Sequence, residues 1–342
     1  MTESFNTTEW TYTGHVEWVN DVEETMDGGF VTASEDGSVQ KLDPNGGPQW
    51  DYNTKNFSAI DDVEPTGSGG FVLASDGGAV HKIDNNGDNK WARTGFEDQV
   101  NSVDPTVDGG FITGSSNNSV YKLDSTGKPQ WTYTGHDWWV EDYSGYRWVQ
   151  DVEPTMDGGF VTASLDNTVH KIDSNGDRQW AYSGHSDGVG DVEHTDGGGF
   201  VTASLDGTVH KLDSNGNRQW SYTGHGDALL DVEPTAAGAF LSASYDNTVH
   251  KFDSNGDQKW AYTGHANDVY DVESTLHGSV VSASLDNTVR KFTPPTSSSN
   301  QPPTLTDQEF TIAEDGNDGP VGTVDANDED GSIQSYAITA GN

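Results

Sequence analysis

Short runs of alternating apolar and polar residues recur along the chain and are separated by turn residues. The unit at 189–225 shows this pattern best and predicts four strands, called a to d, at 189–193, 200–204, 208–213 and 218–223. Asp-Gly and Asn-Gly pairs between the runs favour tight hairpins, because these residues tolerate a positive φ. Since no segment has a helical period of apolar residues, the pattern predicts an all-β chain.

Seven tryptophans mark the repetition of this unit, with gaps of 40, 41, 40, 49, 40 and 40 residues: Trp10, Trp50, Trp91, Trp131, Trp180, Trp220 and Trp260. Four-stranded units of this period predict a β-propeller. Seven units of strands a to c follow a lone strand d at 9–13, and the last unit ends at Phe292. The first strand is therefore expected to complete the seventh blade, which closes the ring and removes its open edges.

The repeat resembles two known propeller families. Gly-His, Val-x-x-Val and Ala-Ser-x-Asp-x-Thr-Val resemble the WD repeat, although Leu212-Asp213, Ile172-Asp173 and Phe252-Asp253 stand where that family has Trp-Asp. The segment DGTVHKLDSNGNRQW resembles the repeat of PQQ-like (quinoprotein-like) propellers. The resemblance covers residues 9–292 and implies a seven-bladed propeller over 1–293. It says little about function, because propellers host many activities.

Five histidines end strand d, and each is followed in the next unit by an aspartate of the b–c turn: His15 with Asp36, His136 with Asp166, His185 with Asp206, His225 with Asp246 and His265 with Asp286. Two units lack both partners, with Gly77 and Asn117 at the aspartate position, which indicates that the partners touch. We expect a structural network that resembles the one in WD repeats and that serines could extend, at Ser34, Ser164, Ser204, Ser244 and Ser284. A Ser-His-Asp catalytic triad is disfavoured, because an active site needs one copy and five are present.

Strand a repeats a pair of acids two residues apart: Asp21/Glu23, Asp62/Glu64, Asp151/Glu153, Asp191/Glu193, Asp231/Glu233 and Asp271/Glu273, with Ser102/Asp104 in the odd unit. Alternation places both acids on one side of the strand, and strand a is innermost in a propeller blade. The acids are therefore expected at the central channel, either binding cations or forming a hydrated lining. The Asp-x-Asn-x-Asp of the c–d turns matches half of an EF-hand loop, but a plain hairpin is favoured.

One connection between strands d and a is nine residues longer than the others. It contributes Trp138, Trp139, Tyr143, Tyr146, Arg147 and Trp148, and Trp18 is in the corresponding connection of another unit. The seven framework tryptophans are expected to pack between blades, whereas aromatic residues in loops favour recognition. The sequence thus predicts an aromatic rim that binds a protein or a glycan. The alternative is a hydrophobic plug over the channel mouth.

The chain is strongly acidic, with 16 Lys+Arg against 56 Asp+Glu and a formal net charge of -40. This charge excludes nucleic acid and anionic membrane surfaces as partners. It resembles the composition of halophile proteins, with an acidic exported protein as the alternative. Cysteine is absent, so no disulfide or thiolate chemistry is possible. We find no membrane-spanning run and no signal peptide in the first residues.

The composition changes after Phe292. A Pro/Ser-rich linker at 294–303 precedes a segment at 304–342, for which strands at 309–313, 321–324 and 333–339 are predicted. FTIAE, VGTVDANDED and SYAITAGN resemble the first half of a cadherin-type repeat, a β-sandwich. The resemblance implies calcium ligands at Glu314, Asp328 and Asp330, and oxygen ligands suit that ion. Because the match ends mid-domain, a longer parent protein is expected.

Three functions remain open at this stage. The first is a non-enzymatic binding or adhesion module of a larger cell-surface protein, with a monomeric propeller and calcium bound only in the cadherin-like segment. The second is a quinoprotein dehydrogenase, which the seven blades and the missing cysteines disfavour. The third is a cytoplasmic WD-type scaffold. This function agrees with the missing signal peptide but not with the cadherin-like segment at 304–342.

Overall fold

The computed structural model describes residues 3–54, 58–136, 148–195, 197–235, 238–295, 304–305 and 326–327. The chain divides into two units, Met1–Pro294 and Pro295–Asn342. The first unit is a seven-bladed β-propeller whose blades are antiparallel four-stranded sheets, so the fold predicted for this part of the chain is confirmed. None of the described residues forms a helix long and apolar enough to cross a membrane.

The strands are numbered in chain order. The first two are β1 (Glu3–Phe5) and β2 (Trp10–Tyr12), which join the last two blades. Blades 1 to 3 contain β3 (Val19–Glu24), β4 (Phe30–Ser34), β5 (Ser38–Leu42), β6 (Pro48–Asn53), β7 (Ile60–Pro65), β8 (Phe71–Ser75), β9 (Ala79–Ile83), β10 (Asn89–Thr94), β11 (Val100–Pro105), β12 (Phe111–Ser115), β13 (Val120–Leu123) and β14 (Pro129–Tyr133).

Blades 4 and 5 contain β15 (Val149–Pro154), β16 (Phe160–Ser164), β17 (Val169–Ile172), β18 (Arg178–Tyr182), β19 (Val189–His194), β20 (Phe200–Ser204), β21 (Val209–Leu212) and β22 (Arg218–Tyr222). Blades 6 and 7 contain β23 (Leu229–Pro234), β24 (Phe240–Ser244), β25 (Val249–Phe252), β26 (Gln258–Tyr262), β27 (Val269–Ser274), β28 (Val280–Ser284) and β29 (Val289–Phe292). Each blade runs from strand a at the channel to strand d at the periphery.

The N-terminal residues close the ring. Strand β2 pairs antiparallel with β29, with Trp10 opposite Lys291 and Tyr12 opposite Val289, and so supplies the missing strand d of blade 7. Strand β1 pairs in parallel with β26 and gives blade 6 a fifth strand, which the sequence analysis did not predict. A three-residue strand has too little alternation to be recognised in a sequence.

The core lies between blades. Strand b of every blade is buried along its whole length, as in Phe200–Ser204, because neighbouring blades cover both of its faces. Each framework tryptophan packs on a phenylalanine of the next blade, except that Trp260 packs on Phe292 at the end of strand c. Most of these tryptophans are only half-buried, so they cover the outer edge of the interface between blades.

In the second unit, β30 (Thr304–Leu305) pairs antiparallel with β31 (Ala326–Asn327). The three strands predicted for the cadherin-like segment, at 309–313, 321–324 and 333–339, lie outside the described residues.

Candidate functional site

A β-bulge at the start of strand a determines what faces the channel. In all seven blades the pairing register shifts between the first and third residue of this strand, as in Val189 opposite Ser204 and Asp191 opposite Ala203. A bulge sets two residues of one strand against a single partner and redirects a side chain. The residue before the aspartate, here Gly190, therefore also faces the channel, which strict alternation does not predict.

The central channel encloses a cavity of about 170 Å³. Three rings of equivalent positions surround it, with one residue from each blade in each ring. The mouth ring consists of the bulge residues Asn20, Asp61, Asn101, Gln150, Gly190, Leu230 and Tyr270. The latch ring follows it at Asp21, Asp62, Ser102, Asp151, Asp191, Asp231 and Asp271. The acid ring is Glu23, Glu64, Asp104, Glu153, Glu193, Glu233 and Glu273, of which all but Glu153 line the cavity.

The latch ring joins each blade to the next. The Val63 N–H donates to Asp21 at 2.7 Å, and the same bond recurs around the circle until the Val22 N–H donates to Asp271 at 2.8 Å. In blade 3, Ser102 takes the place of the aspartate, and its Oγ accepts from the Val152 N–H at 3.3 Å. Because every latch residue satisfies a buried N–H, this half of each acidic pair has a structural role.

The acid ring has few partners for its charges. Burial, followed by repulsion from the neighbouring channel acids, raises the pKa of Glu64 and Glu193 well above the usual range. Burial likewise raises the pKa of Glu153 and of Glu273 to about 8. No Lys, Arg or His is among the described residues that line the cavity. The channel is therefore a strongly acidic space without an internal counter-charge.

The structure places all five predicted His–Asp pairs in contact. The Nδ1 to Oδ2 distances are 3.2, 2.9, 3.3, 2.9 and 3.1 Å for His15–Asp36, His136–Asp166, His185–Asp206, His225–Asp246 and His265–Asp286. Burial opposes ionisation of Asp206, but hydrogen bonds from His185 and Thr208 outweigh it and hold its pKa well below the usual range. The same balance lowers the pKa of Asp36, Asp246 and Asp286.

The suggested serine extension reaches the aspartate of each pair, since the Asp206 N–H donates to Ser204 Oγ at 3.1 Å. The second histidine nitrogen instead meets the residue two positions earlier in strand b. His185 Nε2 lies 2.8 Å from Thr202 Oγ1, whereas the Ser204 hydroxyl donates to the Gly188 carbonyl. In blade 3, Phe96 stands where the histidine is missing, and the equivalent Thr113 hydroxyl is buried without a partner. The network is thus repeated in five blades.

Among the described residues, one group of metal-ligand type has its donor atoms within 4.8 Å of one another: His225, Asp246 and His250. The two imidazole rings stack at 3.8 Å with their planes 14° apart. Ring nitrogens bind metals in the plane of the ring, so two nearly parallel rings do not direct their lone pairs at one ion. Burial lowers the pKa of His250 to about 3, which keeps it neutral beside His225.

One face of the ring carries the d–a connections and the b–c turns, and we call it the loop face. The N–H of the first turn residue donates to the carbonyl just before strand a, as from Leu205 to Gly188 at 2.8 Å, so both segments lie together around the channel mouth. We call these residues the turn ring: Glu35, Asp76, Ser116, Leu165, Leu205, Tyr245 and Leu285.

The mouth ring and the turn ring divide the loop face into two sectors. Blades 1 to 3 supply only polar or acidic side chains to these rings. Blades 4 to 7 supply mostly apolar ones, which form a partly exposed apolar sector: Leu165, Leu205, Leu230, Tyr245, Tyr270 and Leu285. Tyr245 and Tyr270 lie side by side, with their hydroxyls 3.3 Å apart. The sequence analysis missed this sector, although the divergence of these positions among otherwise similar units was a visible signal.

The predicted aromatic rim belongs to the same face. Trp18 is 44% exposed beside Val16, which is 74% exposed, and both precede blade 1 next to the apolar sector. Trp148 is half-buried, and its carbonyl accepts from the Leu165 N–H. The remaining rim residues, Trp138, Trp139, Tyr143, Tyr146 and Arg147, lie outside the described residues. The predicted calcium ligands also lie outside them: Glu314, Asp328 and Asp330.

Comparison with known proteins supports the repeat assignment. A PQQ-like family model, described as outer membrane protein assembly factor BamB, matches residues 35–183 and 165–297. The chain belongs to the PQQ-like propeller family. A second model, described as WD domain, G-beta repeat, matches residues 6–41. No curated protein matches the sequence.

The WD40 β-propeller domain of Doa1 is a similar solved structure. It has a TM-score of 0.74 and 22% identity, and the alignment covers 85% of this chain and 97% of that domain. At this identity the likeness shows a shared fold alone.

The quinone cofactor of some PQQ-like propellers does not fit this channel. Pyrroloquinoline quinone carries three carboxylates, which need cationic partners in a buried site. The described lining residues of this PQQ-like propeller include no cationic side chain and thirteen carboxylates, twelve of them from the latch and acid rings and one from Asp61 of the mouth ring. The lining therefore offers no cation to compensate the three carboxylates of the quinone.

Proposed function

We propose that this PQQ-like propeller is a non-enzymatic scaffold that binds a protein partner on its loop face. One observation carries the proposal: the blades keep nearly the same residues in their cores, latches and acid ring, but diverge at the mouth and turn rings. Structural demands are alike in every blade, so they do not account for a loop face that is polar in blades 1 to 3 and mostly apolar in blades 4 to 7. A partner that contacts each blade differently accounts for this difference.

The chemistry of the apolar sector supports this proposal. Partly exposed leucines and tyrosines around a concave mouth are typical of the centre of a protein interface, where buried apolar and aromatic anchors carry most of the binding energy. Trp18 extends this surface toward blade 1. Rigid blades hold these side chains in place, so little ordering is required when a partner binds.

The broader sequence expectations remain proposals. A glycan would favour flat aromatic surfaces such as Trp18, whereas the leucines of the apolar sector favour a protein. A cell-surface location, an adhesion role and calcium binding by the cadherin-like segment rest on the sequence resemblance of 304–342. The alternative of a cytoplasmic scaffold uses the same loop face.

A random peptide library displayed on phage and selected against the intact chain tests the proposal. We expect enriched peptides whose binding is lost in Leu205→Glu and Leu230→Glu, which place charges in the apolar sector. Met156→Glu is the matched control, because Met156 is 91% exposed in an a–b turn on the opposite face. A selection without enrichment, or peptides equally sensitive to Met156→Glu, would overturn the proposal.

A further inference from the structure

We infer that the partner of the loop face is a basic peptide segment that lays apolar side chains on the sector of blades 4 to 7 and inserts a lysine or arginine into the channel mouth. This inference rests on the proposed function and specifies its partner. Two independent features of the mouth point to this chemistry: its apolar half, and unsatisfied acceptors in its polar half.

The unsatisfied acceptors are in blades 1 and 2. Asn20 Oδ1 and Asp61 Oδ2 are buried oxygens of the mouth ring that accept no hydrogen bond from a protein donor, although the Asp61 carboxyl shares a side-chain hydrogen bond with Asp76. The Asn20 amide donates to the Ile60 carbonyl at 3.1 Å, which holds its oxygen in position. A buried acceptor without a donor is unfavourable. An ammonium group brings three donors and a guanidinium five, which are the groups that such acceptors lack.

The charge of the channel selects a cation. Behind the mouth lie the latch and acid rings, and the described lining contains no cationic residue. Glu35 and Asp76 add two acids at the rim, and burial raises the pKa of both. An acidic cavity with low-dielectric walls concentrates cations and repels anions. A peptide that carries a single basic residue between apolar ones matches both sectors at once.

The spacing of the carboxylates favours an organic cation over a metal ion. Calcium requires six to eight oxygens at 2.3–2.6 Å. Yet among the described residues no three channel acids bring their oxygens within 4.8 Å of one another, since the one group that does so is the histidine cluster of blade 6. A guanidinium group is broader and donates in several directions, so it bridges acceptors that are farther apart.

The test uses peptides selected on the loop face, in which a basic residue is exchanged for a neutral one of the same shape. Isothermal titration compares each arginine peptide with its citrulline analogue on the intact chain. We expect the citrulline peptide to bind about tenfold more weakly or worse, as for other close charge pairs. Salt should weaken the arginine peptide and hardly affect the citrulline peptide.

Variants of the chain locate the cation. Glu193→Gln combined with Glu233→Gln should weaken the arginine peptide and spare the citrulline peptide, whereas Leu205→Glu should weaken both. Asp177→Asn, an exposed change in a c–d turn, is the control and should weaken neither. Binding of the arginine peptide should also release protons, because a nearby cation ionises acids whose pKa is raised. Titrations in buffers of different ionisation enthalpy measure this release.

The outcomes distinguish this inference from the proposed function. Peptides that depend on Leu205 but bind equally well with arginine or citrulline would overturn the basic partner and leave the scaffold standing. If no peptide depends on the loop face, both fail. Saturable heat with calcium chloride that disappears in the double glutamine variant, together with equal arginine and citrulline affinities, would make the channel a metal site and overturn the inference.

Discussion

At the scale of single residues, two acids of one strand differ in function although they are only two positions apart. Asp231 accepts the Val272 N–H at 2.8 Å and joins blade 6 to blade 7. Glu233 meets the Ser274 hydroxyl at 3.2 Å and otherwise faces a channel of like charges. Asp231 acts as a hydrogen-bond acceptor between blades, whereas Glu233 contributes to the electrostatic field of the channel.

This difference predicts opposite effects for two substitutions of one latch residue. Asp231→Ala leaves the Val272 N–H buried without an acceptor, so the free energy of unfolding should fall by about 1–3 kcal/mol. Asp231→Asn keeps an acceptor and removes one acid whose ionisation the channel opposes, so stability should be unchanged or higher. Ser102 supports this expectation, because it serves as a neutral acceptor in blade 3. Urea denaturation measures the free energy of unfolding of both variants. Equal losses of stability in the two variants would show that the latch requires a carboxylate.

At the scale of elements, strand β1 shows how far a local pattern can predict the fold. Strands a to d were predictable because their alternation and turn residues recur every 40 or so positions, and ring closure followed from the offset between the first strand d and the last unit. Strand β1 was not predictable: three residues pair in parallel with a strand more than 250 positions away. Its position depends on the exposed edge of β26, which exists only in the folded ring.

The candidate site was predictable in part for the same reason. The acidic pairs and the His–Asp pairs are visible because they recur at fixed positions. The bulge is not visible, since it depends on which residues of strand b pair with strand a, and so the mouth ring was missed. The choice of Thr202 over Ser204 likewise depends on side-chain geometry, because both lie in strand b two positions apart.

Strand β1 should stabilise blade 6 through one side chain. Phe5 contacts the rings of Trp260, Tyr262 and Phe292 at centroid distances of 5.4, 5.4 and 5.7 Å. Phe5→Ala should lower the free energy of unfolding by about 1–3 kcal/mol, the range for burying such a ring. Hydrogen exchange in β26 should become faster. Phe5→Leu retains most of the apolar area and is the control, and unchanged exchange in Phe5→Ala would show that β1 adds nothing.

At the scale of the whole molecule, the channel couples stability to pH. Burial raises the pKa of Glu153, Asp231 and Glu273 to about 8 and that of Asp62 to about 7, whereas unfolded carboxyls titrate near pH 4. Between these values the folded chain binds more protons than the unfolded chain. Stability is therefore highest when the channel is protonated and is lost as the pH rises through the folded pKa values.

We predict that thermal stability falls as the pH rises from 7 to 8.5. Histidine adds little in this range, because burial lowers the pKa of His170 and His210 to about 3 and unfolded histidine titrates near 6.5. Burial lowers the pKa of Lys82 to about 8, so this residue makes stability rise with pH. It is one group against many carboxyls that have the opposite effect. A folded chain that binds about two more protons than the unfolded chain loses about 2–3 kcal/mol of stability per pH unit.

Calorimetry across this pH range measures the effect, and two controls assign it to the channel. Glu153→Gln combined with Glu193→Gln should make the decline shallower, because two repelling acids are gone, whereas Asp177→Asn at the surface should leave it unchanged. The decline should persist in high salt if the acids are enclosed, since buried charges are screened much less than exposed ones. A midpoint that is constant or rises with pH would mean that the channel acids are already ionised, with their repulsion relieved by bound cations.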